Sequence, residues 1–80
     1  MRYTLIEYSY LSGCGKQIGV TDRISDFNYA NITNLNTYAI YDGSTCLAEF
    51  EGWDVNRVCA WFAENPSYDG SAGCRAWRGE

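Results

Sequence analysis

The residue types that most often carry chemistry are few in this chain. There is no histidine, which removes the usual general base near neutral pH, the Ser/His/Asp and Cys/His arrangements and the commonest metal ligand. Four cysteines are present, Cys14, Cys46, Cys59 and Cys74. No two of them have the Cys-x-x-Cys spacing of a zinc site. Cys14 sits in a glycine turn, two residues from Lys16, a setting that favours the thiolate. It lacks a base or a resolving thiol nearby in sequence. The run Gly13-Cys14-Gly15-Lys16-Gln17 partly matches a phosphate-binding loop. That loop needs a glycine where this chain has Tyr10, and Ser or Thr where it has Gln17. A glycine turn is the better reading. Glu49 and Glu51 stand two apart on a strand-like run, hence on one face, and Asp54 follows closely. Such carboxylates can bind a divalent cation or raise one another's pKa, but solvated acids on an exposed face are the commoner case. The expectation is a non-enzyme without cofactor or metal.

Charge points the same way. Ten carboxylates outweigh six bases for a net charge of −4, and the stretch 42–69 alone carries six acids against one base. Nucleic-acid binding draws its affinity from clustered Lys and Arg, and here a single lysine and five arginines are scattered. Direct nucleic-acid binding is therefore not expected. An acidic surface suits solubility or a basic partner. No apolar run is long enough to span a membrane or to serve as a signal peptide. A cytoplasmic location, with free thiols, is the expectation.

The elements that must position these residues are short. Eighty residues make one domain, burying roughly 60% of the surface its unfolded chain exposes. A strand is expected from Arg2 to Leu11, with Thr4, Ile6, Tyr8 and Tyr10 on one face and Tyr3, Leu5, Glu7, Ser9 and Leu11 on the other. A glycine turn and a returning strand, Lys16 to Thr21, should follow. Asp22 to Asn36 is rich in Asn and Asp; the spacing of Ile24, Phe27 and Ala30 allows a turn or two of helix there, with an irregular loop as the alternative. Thr37-Tyr38-Ala39-Ile40-Tyr41 and Thr45-Cys46-Leu47-Ala48-Glu49-Phe50 flank Asp42-Gly43-Ser44, a strong hairpin signal. Strict alternation would put Cys46, Ala48 and Phe50 on one face and Leu47, Glu49 and Glu51 on the other. Asp54 is a natural N-cap, Trp53 and Val58 are spaced as a hydrophobic staple, and Val55, Val58, Cys59 and Phe62 form one helical stripe. Asn65-Pro66 should end that helix, with Asn in the left-handed C′ position. Cys74 to Arg78 reads as a last short strand. The expected class is α+β: a small two-layer domain, an antiparallel sheet of four to five strands with one main helix, about 54–64, packed on one face.

Thirteen residues are aromatic, and Tyr and Trp give large contact area with few rotatable bonds, in cores and interfaces alike. Two binding modes fit. In one, Glu49, Glu51, Asp54 and Asp69 offer carboxylates to a basic groove on another protein, standing in for phosphates, while Tyr8, Tyr10, Tyr38, Tyr41 and Tyr68 act as anchors. In the other, the chain is a structural or adaptor subunit that self-associates through a sheet edge. Both monomer and homodimer remain open. With its length, acidity, lack of histidine and the hairpin-then-helix run from Thr37-Tyr38-Ala39-Ile40-Tyr41 to Cys59-Ala60-Trp61-Phe62, the chain resembles the small acidic inhibitors that bacteriophages encode against host defences, anti-CRISPR proteins among them. The likeness is one of overall character. It implies stoichiometric binding to a nucleic-acid-handling host complex.

Overall fold

The residue alternation expected of half-buried strands is what builds the sheet. The computed structural model describes residues 2–27 and 29–71. Four strands, β1 (Tyr3–Tyr8), β2 (Gly15–Thr21), β3 (Thr37–Asp42) and β4 (Thr45–Glu51), form an antiparallel sheet in the order β2-β1-β3-β4. Two 3-10 turns, Ile24–Asp26 and Tyr29–Asn31, lie between β2 and β3, and a third, Gly52–Asp54, leads into the helix α1 (Val55–Glu64). The domain is thus α+β with one main helix, as expected. The last strand expected at Cys74 to Arg78 lies outside the described residues. No helix among the described residues is long and apolar enough to cross a membrane.

One face of the sheet carries the core. Tyr3 and Leu5 of β1, Tyr38 and Ile40 of β3, and Ala48 and Phe50 of β4 meet Phe27 from the loop and Val58 and Phe62 from α1. Burial of each large side chain contributes about 1.5–3 kcal/mol, which a domain of this size needs. Tyr38 and Phe50, opposite each other on β3 and β4, stack with centroids 5.8 Å apart. Beyond the helix, Trp61, Phe62 and Tyr68 form a ring cluster, with Trp61 edge-on to Tyr68 at 5.0 Å.

Two irregularities in pairing change which residues face the core. Ile40 pairs with Ala48, but the next residue, Tyr41, pairs with Cys46, so Leu47 is an extra residue on β4. An inserted residue interrupts the two-residue alternation. Leu47 is therefore fully buried beside Ala48, whereas strict alternation would have put it with Glu49. Cys46, expected to share a face with Ala48 and Phe50, lies instead across from Tyr41 on the opposite face, half-buried. A matching shift between β1 and β2 makes Ile18 an extra residue.

Other expectations change at element ends. β1 stops at Tyr8, because the chain turns there: Gly13 N–H donates to Ser9 O and Ser9 N–H to Cys14 O, with Gly13 at φ 72°. The β3–β4 turn works through Gly43 alone, at φ 61°, with Asp42 kept in the strand. The 22–36 loop is helical only as 3-10 turns; Ile24 and Phe27 pack inward, and Ala30 is exposed. Asp54 stands at the N-cap position but makes no cap hydrogen bond. The preceding 3-10 turn runs directly into α1, with Val55 N–H donating to Gly52 O, and the Asp54 carboxylate lies 3.6 Å from the Arg57 guanidinium instead. Trp53 is 60% exposed rather than tucked over Val58. Asn65 closes the helix without a left-handed conformation (φ −129°); its backbone N–H and its side-chain amide both donate to Trp61 O at 2.9 Å.

Candidate functional site

Asn36 joins three segments at one end of the sheet. Its backbone carbonyl accepts from Gly52 N–H at 2.9 Å and its own N–H donates to Thr33 O at 3.1 Å. Its side-chain oxygen accepts from Tyr10 N–H at 3.1 Å. The β1–β2 turn, the segment before β3 and the segment after β4 are thereby held at one point. Each brings an exposed large side chain within a residue or two of that hub: Tyr10 at 59% and Leu11 at 80%, Leu35 at 55%, Trp53 at 60%. Gly52 is buried there because a Cβ would collide with the backbone of Thr33 and Asn34. Only glycine lets these two segments approach so closely.

A second set of bonds fixes the same loop from inside. The fully buried Tyr38 donates its hydroxyl proton to Glu7 Oε2 at 2.6 Å, and the Tyr38 hydroxyl oxygen accepts from Thr33 N–H at 2.8 Å. Lys16 Nζ lies 3.9 Å from the other Glu7 oxygen. Burial, then the Glu7 carboxylate, pushes the Tyr38 hydroxyl pKa up, so Tyr38 stays a neutral donor.

The sheet face away from the helix adjoins this end. Thr4, Ile6, Tyr8, Thr37, Tyr41, Cys46, Glu49 and Glu51 are half-buried or exposed, and Ala39 is buried among them. The Tyr8 ring lies over Gly15, where an added Cβ would come within 2.6 Å of it. A hydrogen bond to Tyr8, with burial second, pushes the Tyr41 hydroxyl up to about 12. Glu51 accepts from the Thr37 hydroxyl at 3.2 Å. The Cys46 thiol lies 3.9 Å from Glu49 Oε1. The Tyr41 hydroxyl is therefore a neutral hydrogen-bonding group near pH 7.

No protein-family profile matches the chain, and neither the curated proteins nor the solved structures give a match.

The residues singled out by sequence divide four ways. Tyr8, Tyr41, Glu49 and Glu51 share the sheet face away from the helix, and Tyr10 and Asp54 stand at its Asn36 end. Tyr38 is not an anchor for a partner: it is fully buried, because it pairs opposite Phe50 over the core. Tyr68 is half-buried against Trp61 and Phe62 on the helix side. Asp69 is elsewhere again. Its neighbour Gly70 lies against Thr45 and Leu47 at the start of β4, and Glu51 lies six residues along the strand, about 20 Å away at ~3.3 Å per residue. The Asp69 carboxylate accepts from Ser71 N–H at 2.9 Å, which holds its pKa below the usual value. Among the described residues no three Cys, Asp or Glu side chains converge as a cation site, and Cys14 and Cys59 are free thiols.

Leu11, Leu35 and Trp53 were missed as surface residues. A signal existed for Leu35: a lone large apolar residue between Asn34 and Asn36 has no periodic partner to bury it with. For Trp53 the staple pattern pointed the other way.

On the core side, Tyr3, Ile24, Tyr29, Cys59, Phe62 and Pro66 line a cleft of about 570 Å³. Tyr29 donates to Ile24 O at 2.9 Å. Burial, with Cys59 second, raises the Tyr29 hydroxyl pKa, and burial likewise raises the Cys59 thiol against an opposing hydrogen bond from Tyr29. A thiol held protonated in this way is a packing group and a poor nucleophile.

Proposed function

We propose that this protein works by stoichiometric binding: a small acidic inhibitor that docks on the basic surface of a nucleic-acid-handling host complex in the cytoplasm and blocks access to it. The observation that carries this reading is the convergence of Tyr10, Leu11, Leu35 and Trp53 on Asn36, beside Glu51 and Asp54. Large exposed apolar side chains gathered at one place mark interaction sites on small proteins. Aromatic anchors with a charged rim are the usual anatomy of an interface. The charge supports the same partner class, since the segment 42–69 that supplies Glu49, Glu51 and Asp54 holds six acids and one base.

The test is affinity capture from a bacterial lysate on the immobilised protein, with low- and high-salt washes. Trp53→Ser with Tyr10→Ser, and Glu49→Lys with Glu51→Lys, serve as paired variants. Stoichiometric recovery of a nucleic-acid-handling complex, released by salt and lost in both variants, is the expected result. Equal recovery by the wild type and both variants would refute the assignment.

A further inference from the structure

At the end of β1 away from Tyr10, β2 runs into the first 3-10 turn, and that turn packs against α1. Their junction leaves the 570 Å³ cleft on the helix side of the sheet. The buried Tyr3 and Phe62 stand at its inner wall, Ile24 and Tyr29 on the turn side, and Ala63 and Pro66 on the helix side. Its volume falls within the range of small-ligand sites, roughly 300–1,000 Å³. Water against such walls has few polar partners, and an apolar body that displaces it gains free energy.

Charge selects the other half of the ligand. The described residues include four bases, and three of them are engaged. Arg2 lies 4.0 Å from Asp22, Lys16 3.9 Å from Glu7 and Arg57 3.6 Å from Asp54. Arg23 is the one without an ion pair among the described residues. It stands on the rim of the cleft, close to the exposed Ser25. A guanidinium offers paired N–H donors in one plane, the match for a carboxylate.

We propose that this cleft binds a small aromatic carboxylate, with its ring among Tyr3, Tyr29 and Phe62 and its carboxylate on Arg23. The Ser25 hydroxyl is the second donor. A cationic ligand is disfavoured, because Asp22 is the one acid on the rim and already has Arg2 beside it. An aliphatic acid would fill the space but forgo the ring contacts that three aromatic walls offer. The cleft shares no residue with the Asn36 end, so this site stands or falls independently of the docking surface there.

The experiment titrates 2-naphthoate, 2-naphthamide and octanoate into the isotope-labelled full chain and follows amide and aromatic NMR signals. Saturable binding of 2-naphthoate below about 1 mM is the expected result, with shifts at Tyr3, Ile24, Tyr29, Phe62 and Ala63. Both other compounds should bind more weakly. Arg23→Gln should weaken 2-naphthoate about fivefold to tenfold and leave 2-naphthamide unchanged, a split that a loss of folding would not produce. Equal binding of 2-naphthoate and either control, an unchanged affinity in Arg23→Gln, or shifts that map elsewhere would overturn the assignment. So would cross-peaks from residues 72–80 to the Tyr3 and Phe62 rings in the unliganded protein, because the chain's own end would then be the occupant.

Discussion

Replacing Tyr38 by Phe removes one oxygen from the interior and nothing else. That oxygen donates to Glu7 at 2.6 Å and accepts from Thr33 at 2.8 Å. A hydrogen bond to a charged group contributes about 1.5–3 kcal/mol. The Glu7 side chain is 17% exposed, so water replaces the lost donor only partly. Thr33 is exposed, and its N–H recovers a water partner, which keeps the total cost at about 2–3 kcal/mol. A domain of this size has roughly 4–12 kcal/mol in all. With a urea m-value of ~1 kcal/mol/M, the midpoint should fall by about 2 M. Glu7→Gln should cost less, about 1 kcal/mol, because the amide oxygen still accepts from Tyr38. The Lys16 contact at 3.9 Å, with Lys16 73% exposed, adds little. The double mutant should be about 1–2 kcal/mol more stable than the sum of the singles implies. Urea unfolding at pH 7 followed by tryptophan fluorescence gives all four values, and amide exchange at Thr33 should quicken in Tyr38→Phe. A Tyr38→Phe cost under ~0.5 kcal/mol, or additive single mutants, would refute the view that this buried bond fixes the loop carrying Leu35 and Asn36.

Gly52→Ala should destabilise by about 2–3 kcal/mol, the upper range for overpacking, since the added methyl meets the Thr33 and Asn34 backbone rather than a side chain that can rotate; chemical denaturation measures it. Leu47→Ala should cost about 2–5 kcal/mol and Cys46→Ser under ~1 kcal/mol, the reverse of what strict alternation predicts, and a thermal-shift comparison decides it. Stability should fall at high pH. The Tyr29, Tyr38 and Tyr41 hydroxyls have folded pKa values above the ordinary 10.0. Their contribution is complete below pH 10 and lost as pH rises towards the folded values, at about 1.4 kcal/mol per pH unit for each group ionised only in the unfolded chain. Alkaline unfolding monitored by tyrosinate absorbance should show it, with Tyr41→Phe reducing the slope above pH 10.

Local signals carried most of the architecture. The Asp42-Gly43-Ser44 turn, the alternation on either side of it and the Val55, Val58, Cys59 and Phe62 stripe depend on neighbours a few residues away. They set the β3–β4 hairpin and α1 within a residue or two of where they lie. The lack of histidine and the dispersed bases likewise narrowed the chemistry without any coordinates. Three things waited on the tertiary structure. The extra residue at Leu47 arises from pairing between strands, and no spacing within β4 announces it. The burial of Tyr38 depends on Glu7, thirty-one residues away, because a tyrosine enters a core only when its hydroxyl finds a partner. The exposed apolar end of the sheet was hidden for the same reason. Tyr10, Leu35 and Trp53 are scattered along the chain, and the bonds of Asn36 to Tyr10 and Gly52 bring their segments to one end of the sheet. Sequence records how strongly a side chain avoids water, but only the packed chain decides which apolar side chains run out of core to enter.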